Sequence, residues 1–385
     1  MCHKSFLSLW SYANPQGKKK GKELCDVLVV CGRDVVIFSV KEIGASQSGD
    51  ESVDWQRWHK HAVEQSCDQI YGAERWLKSA KHVIRNDGTS GLSLPNLEER
   101  RIHRIAVALG SKGRFPIEYG DLGHGFVHVF DETSLEIILR ELDTISDFVA
   151  YLKAKEDYCE KVMPILEGEE NLLALYLQNG KAFPEDTDVL FLGNDLWTKF
   201  ADSDQYKKKK AADKPSYIWD SLIEAFSSAI HTGDLEFGSN LNESEKALRT
   251  MAVENRMFRR ILGKAFAEFL EDAKANKVRA QRLRSPSGVV YVFLAHPHGE
   301  QREIRVTELR LRCFVARGLT PEADTAIGIA TEQPSGASGS SLDLVCLFKR
   351  KWTDADQIQL ERIQNDLGYF ANSVITKSSE DEYPA

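Results

Sequence analysis

The stretch Glu23-Leu24-Cys25-Asp26-Val27-Leu28-Val29-Val30-Cys31-Gly32-Arg33-Asp34-Val35-Val36-Ile37-Phe38-Ser39-Val40-Lys41 organises the reading of the whole chain. Two runs rich in β-branched residues, Leu24 to Val30 and Val35 to Val40, flank Gly32-Arg33-Asp34, the composition of two strands joined by a hairpin turn. Strand side chains alternate, so Ser39 and Lys41 share one face while Val36, Phe38 and Val40 take the other. Asp26 joins the face of Ser39 and Lys41 only if paired residue numbers sum to an odd total. A Cys31-to-Asp34 loop sets Val30 opposite Val35 and Asp26 opposite Ser39. An Arg33-Asp34 turn sets Asp26 opposite Lys41 instead. Both put Asp26 beside the polar end of the second strand, and a slip of a single residue buries it.

A carboxylate at the end of one strand and an ammonium at the end of the next suit phosphodiester cleavage. That reaction needs an activated water and neutralisation of the charge growing on the phosphoryl oxygens. A carboxylate-held Mg2+ supplies Lewis acidity and lowers the pKa of its bound water. A nearby ammonium stabilises the developing anion or orients the nucleophile.

The arrangement resembles the PD-(D/E)xK, or restriction-endonuclease-like, nuclease superfamily over about residues 5 to 110. The opening Phe6-Leu7-Ser8-Leu9-Trp10-Ser11-Tyr12-Ala13-Asn14-Pro15, followed by Gly21-Lys22-Glu23-Leu24-Cys25-Asp26, is similar to uncharacterised bacterial nuclease-fold proteins. The resemblance implies an α/β (α+β) fold with a mixed sheet flanked by helices. It matches Glu23 to the glutamate ahead of the aspartate, Asp26 to the aspartate, Lys41 to the lysine, and Gln65 or Gln69 to the polar residue of the following helix. It implies Mg2+ or Mn2+ held by Asp26 and Glu23, with Ser39 as a weak third ligand. One departure stands out. Ser39 occupies the place, two before the lysine, where the superfamily carries a second carboxylate. The activity implied is a metal-dependent DNA endonuclease in prokaryotic anti-phage defence. The alternative is a catalytically impaired nuclease fold that binds nucleic acid or docks a partner.

From Asp54 to Lys81 the pattern turns helical, with Val63, Ile70, Ala73 and Leu77 on one stripe and Trp58, Ala62, Gln65, Gln69 and Trp76 on an adjacent one. Further strands are expected at Arg104 to Leu109 and Gly125 to Phe130. The polar stretch Gly44 to Ser52 reads as a loop. Residues 1–132 are therefore read as the nuclease-like domain. Residues 133–280 are read as mostly helical, with helices at Ser134 to Tyr158, Glu169 to Gln178, Tyr217 to His231 and Glu243 to Lys277, and a loop at Ala201 to Pro215. Residues 281–385 are read as a smaller C-terminal α/β domain. Its strands, Ile327 to Glu332 and Leu342 to Phe348, could carry a ligand site of their own, although no chemical residues there argue for one.

The chain has 385 residues and 42% apolar content, enough for a core in each of two or three domains. No apolar run is long enough to cross a membrane, and the start lacks the build of a signal peptide, so a soluble cytoplasmic protein is expected. Seven cysteines, an odd count with no CxxC pair, read as reduced core thiols. The net charge of -8 argues against a globally basic nucleic-acid binder, but cations cluster. Lys18, Lys19, Lys20 and Lys22 are the expected phosphate contacts; Lys207 to Lys210, Arg256 to Arg260 and Lys277 to Arg284 read as solvated faces or loops. His59/His61 have a spacing unsuited to a helical metal clip, and His296/His298, flanking Pro297 at a strand end, could chelate but have no carboxylate or Cys partner nearby in sequence; all four read as ordinary histidines. A protein partner or homo-oligomer is left open.

Overall fold

The computed structural model describes residues 2–17, 21–166, 168–184, 189–193, 195–232, 241–332, 341–372 and 380–384. The chain forms a mixed α/β protein in two compact units, Met1–Lys207 and Lys208–Ala385. Among the described residues no helix is long and apolar enough to cross a membrane.

The first unit runs α1 (Cys2–Phe6), β1 (Ser11–Ala13), β2 (Val27–Cys31), β3 (Asp34–Glu42), α2 (Glu51–His59), α3 (Gln65–Leu77), β4 (His82–Ile84), β5 (Ser90–Ser93), β6 (Arg101–Leu109), β7 (Gly120–Asp121), β8 (Phe126–Phe130), α4 (Glu132–Glu141) and α5 (Ile145–Cys159). It then adds β9 (Met163–Leu166), α6 (Glu169–Gln178), β10 (Val189–Leu192) and α7 (Leu196–Asp202). Six strands form one mixed sheet in the order β1-β2-β3-β6-β8-β7. β2 and β3 are antiparallel, while β3, β6 and β8 run parallel. The hairpin register is Val30 opposite Val35 and Val27 opposite Phe38, that of the first alternative, and the strand pairing ends one residue short of Asp26. Cys31 still pairs with Asp34, so the turn is only Gly32-Arg33, with Gly32 at φ 62°.

Alternation along β3 divides its side chains between two helical layers. Phe38 packs under Phe148 of α5 at 6.1 Å and Phe6 of α1 at 6.2 Å, with Phe6 and Phe148 4.9 Å apart. Ser39 and Lys41 face the other way, toward α3. All of Val63, Ile70, Ala73 and Leu77 are buried, as the first helical stripe predicts. The second stripe is interrupted, because Lys60–Glu64 between α2 and α3 is a π-helical turn. A wide turn advances the helix face. Trp58 is buried before it and Ala62 within it, while Gln65 after it is exposed and Gln69, a turn further on, is half-buried and bonded to β3.

The expected helix Ser134 to Tyr158 is two helices. The break falls at Leu142 to Thr144, where Thr144 accepts from Asp147 N and caps α5. α4 and α5 belong to the first unit, so the stretch read as one helical region, 133–280, is shared between the units.

The second unit holds α9 (Ser216–Thr232), α10 (Leu241–Ala252), α11 (Arg256–Lys274), β11 (Ala280–Arg284), β12 (Val290–His296), α12 (Arg302–Gly318), β13 (Thr325–Glu332), β14 (Leu342–Phe348) and α13 (Asp354–Leu367); α8 (Asp204–Ala212) spans the division. Its sheet has the order β11-β12-β13-β14, with β12 and β13 parallel across the α12 crossover. Gly328 of β13 lets α12 come close, since a Cβ there would lie 2.6 Å from Cys313 Sγ. On this sheet Trp219 meets Tyr291 edge-on at 5.0 Å, and Phe266 and Phe269 pack on Phe293.

Three expectations change here. Ala201 to Pro215 is largely helix rather than loop, and Lys209 is buried in an i,i+4 pair with Asp213 at 2.7 Å. The expected helix Glu243 to Lys277 breaks at Val253 to Asn255, where Asn255 caps α11 by accepting from Phe258 N. Arg256, Arg259 and Arg260 are buried rather than solvated: the first two meet Asp220 at 2.8 and 2.6 Å, and Arg260 meets Asp213 at 3.3 Å.

Candidate active site

Asp26 precedes β2 by one residue. Its backbone N–H donates to Phe38 O at 3.1 Å, the carbonyl of the residue paired with Val27, so the register steps at Asp26. Its Oδ2 accepts from Val40 N at 2.8 Å. That bond fixes one carboxylate oxygen against β3, and the other has no protein partner among the described residues. Lys41 is half-buried two positions beyond Ser39 on the same face, and its Nζ donates to Gln69 Oε1 at 2.9 Å. Ser39 Oγ donates to that oxygen at 2.8 Å. One amide carbonyl from α3 thus holds both polar side chains of β3, and the Gln69 NH2 group has no partner among the described residues.

Glu23 is exposed and comes from outside the sheet. Pro15 to Gly17 pair antiparallel with Lys22 to Leu24, with Leu24 N donating to Pro15 O at 2.7 Å, Gly17 N to Lys22 O at 2.7 Å, and Gln16 bridged to Glu23. The pKa of Glu23 is raised. Partial loss of water around its carboxyl is the larger cause, repulsion from Asp26 comes next, and Lys41 opposes both. Two carboxylates and an ammonium therefore lie within electrostatic reach of one another. Cys25, between the two acids in sequence, is fully buried, and burial with both carboxylates nearby pushes its thiol well up. It stays a neutral core thiol.

The remaining expected site residues fall elsewhere. Gln65 is exposed and pairs with His61 Nδ1 at 3.0 Å, one helical turn from Gln69 and away from Lys41. Lys22 is exposed in the pairing of Pro15 to Gly17 with Lys22 to Leu24. Lys18, Lys19 and Lys20 lie outside the described residues. Asp34, at the far end of the hairpin, meets His103 at 3.0 Å. His59 is engaged by Glu118 at 3.0 Å, and His296 is buried between Glu300 and Glu308. In the second unit the acids Glu332 of β13 and Asp343 of β14 are both neutralised by α12: Arg305 is within 3.3 Å of Glu332 and 2.6 Å of Asp343.

Among the described residues no group of three or more His, Cys, Asp or Glu side chains is placed to hold a metal ion. The donor set near Lys41 is smaller: two carboxylates and one hydroxyl, all hard oxygen donors, the Gln69 carbonyl being taken by Lys41 and Ser39. Mg2+ is commonly bound through one or two carboxylates, its remaining positions filled by water and substrate phosphate. The residues present fit that kind of site.

The sequence reading missed the pairing of Pro15 to Gly17 with Lys22 to Leu24, although Pro15, Gly17 and Gly21 punctuate it. It also missed the β4–β5 hairpin, whose strands are too short to show an alternating pattern. Comparison of the chain with known protein families, with curated proteins and with solved structures finds no match.

Proposed function

We propose that the first unit is a Mg2+- or Mn2+-dependent DNA endonuclease with a restriction-endonuclease-like sheet, working in the manner of the PD-(D/E)xK superfamily that its sequence resembles. The observation that carries the reading is the meeting of Ser39, Lys41 and Gln69 at the C-terminal end of β3, with the Asp26 carboxylate on Val40 N and Glu23 within electrostatic reach. The strand order, with β2 and β3 antiparallel and β6 parallel to β3, agrees with it.

When bound, the cation supplies Lewis acidity at the scissile phosphate. Asp26 offers the carboxylate oxygen that Val40 leaves free, so one donor is already oriented. Glu23 offers the second negative charge. Lys41, steered by Gln69, directs its ammonium to the charge developing on the phosphoryl oxygens. Gln69 keeps an NH2 group to donate to water or phosphate. Ser39 contributes a neutral hydroxyl where the superfamily carries an acid.

That serine favours a second reading, in which the fold binds nucleic acid or a partner without cutting. Incubation of the full chain with supercoiled, linear or single-stranded DNA and Mg2+ or Mn2+ separates the two. Cleavage that falls by about a hundredfold or more in both Asp26→Ala and Lys41→Ala supports the endonuclease. Metal-independent binding without cleavage sinks it and leaves the binding module.

A further inference from the structure

Glu23 is the acid that compensates for Ser39, yet no strand of the sheet carries it. Its position depends on what holds the paired arm of Pro15 to Gly17 and Lys22 to Leu24, and the contacts converge on Gln16. The Gln16 N–H donates to Ile84 O at 2.9 Å, and its Nε2 donates to Asn86 O at 2.8 Å. Its Oε1 accepts from Gly21 N at 3.1 Å. The same residue is bridged to Glu23 across the pairing. Gln16 therefore ties the Glu23-bearing arm to the β4–β5 hairpin, with its backbone facing one way and its carboxamide spanning both.

The β4–β5 hairpin is a firm support. Val83 and Leu92 are buried, and Leu92 N donates to Tyr12 Oη at 3.0 Å. Tyr12 belongs to β1 and pairs with Leu28 of β2. The support therefore runs from the central sheet through Tyr12 to β4–β5, and from there through Gln16 to the arm. We infer that Gln16 is a positioning residue for the cation site, holding Glu23 against Asp26 so that the acid absent at position 39 is supplied from this arm. The inference rests on the endonuclease reading above. Loss of the carboxamide leaves the arm with its own backbone pairing and the single Gln16 N–H bond to Ile84 O, and cation binding must then supply the ordering that the carboxamide provides.

The test is binding of Mn2+ to the full chain, by calorimetry or by the electron paramagnetic resonance signal of free Mn2+, on variants whose circular dichroism matches the wild type. Gln16→Met keeps bulk and removes both side-chain hydrogen bonds, with an expected loss of roughly three- to thirtyfold in affinity. Gln16→Glu keeps the acceptor for Gly21 N but loses the donor to Asn86 O, and is expected to fall between. In a Glu23→Gln background, Gln16→Met adds no further loss, because its effect travels through Glu23; a merely structural role adds its full cost in both backgrounds. Wild-type binding by Gln16→Met, or losses that simply add, overturns the inference while the reduced binding of Asp26→Asn keeps the endonuclease reading standing. Wild-type binding by Asp26→Asn overturns that reading and this inference with it.

Discussion

Replacing Lys41 by glutamine is expected to move cation binding and cleavage in opposite directions. The ammonium is held 2.9 Å from Gln69 Oε1 and lies close enough to the acids to lower the pKa of Glu23. A divalent ion between Glu23 and Asp26 therefore feels its repulsion. Taking charges of two and one at about 6 Å and an effective dielectric of about 60 for this half-exposed edge, the repulsion is about 2 kcal/mol. Screening at physiological salt cuts that to roughly 1 kcal/mol. Lys41→Gln should then bind Mn2+ about five- to twentyfold more tightly. Cleavage should nonetheless fall by about a hundred- to a thousandfold, since the group meeting the developing charge is gone. The gain is to be measured at pH 7 or above, because without Lys41 the Glu23 pKa rises further and protons compete with the cation. Calorimetry for Mn2+ and plasmid nicking with Mg2+ read the two effects on the same preparation. Weaker Mn2+ binding in Lys41→Gln, or cleavage within a few-fold of wild type, would refute the placement of the ammonium beside the cation.

Two further predictions concern the scaffold. Gly110 ends β6 at φ 95°, and a Cβ there would collide with the Ile43 carbonyl oxygen, which belongs to the segment leaving β3. Gly110→Ala should cost about 2–4 kcal/mol in denaturant unfolding, against about 1 kcal/mol for Gly113→Ala, where φ is also positive but nothing lies within 4 Å; equal costs would exclude the collision. His128 is fully buried, and burial lowers its pKa from 6.5 to about 4 despite the hydrogen bond to Glu156. A depressed histidine favours the folded state above pH 6.5, and that contribution, at most about 3 kcal/mol, is lost as pH falls toward 4. The Glu156 pKa is lowered too, so it also loses stability toward acid. His128→Gln should flatten the melting temperature between pH 6.5 and 4, and an unchanged slope would show that His128 titrates as it does in water.

Much of the first unit is legible along the chain. The alternation in Val35 to Lys41 settles which side chains share a face, and the buried stripe from Val63 to Leu77 settles which face of the helix meets the sheet. What misled was phase and interruption. The π-helical turn at Lys60–Glu64 shifts the phase between the buried Trp58 before it and the Gln65 to Gln69 stretch of α3 after it, which a regular helical pattern does not show. Caps at Thr144 and Asn255 break two helices that a continuous amphipathic pattern joined. Lys209 and Arg259 are charged residues that local composition places in water, and only distant aspartates or a helix turn's partner allow them to be buried.

The residues from Asp26 to Lys41 by themselves determine a hairpin whose polar edge carries one acid and one base, because alternation and turn chemistry act over a few neighbours. They leave two registers open. The choice of the register that sets Val30 opposite Val35, the capture of Lys41 by Gln69 from a helix packed over the sheet, and the approach of Glu23 on an arm held through Gln16 are tertiary decisions. Each joins groups remote along the chain, whose meeting is set by the packing of the whole unit rather than by any local preference.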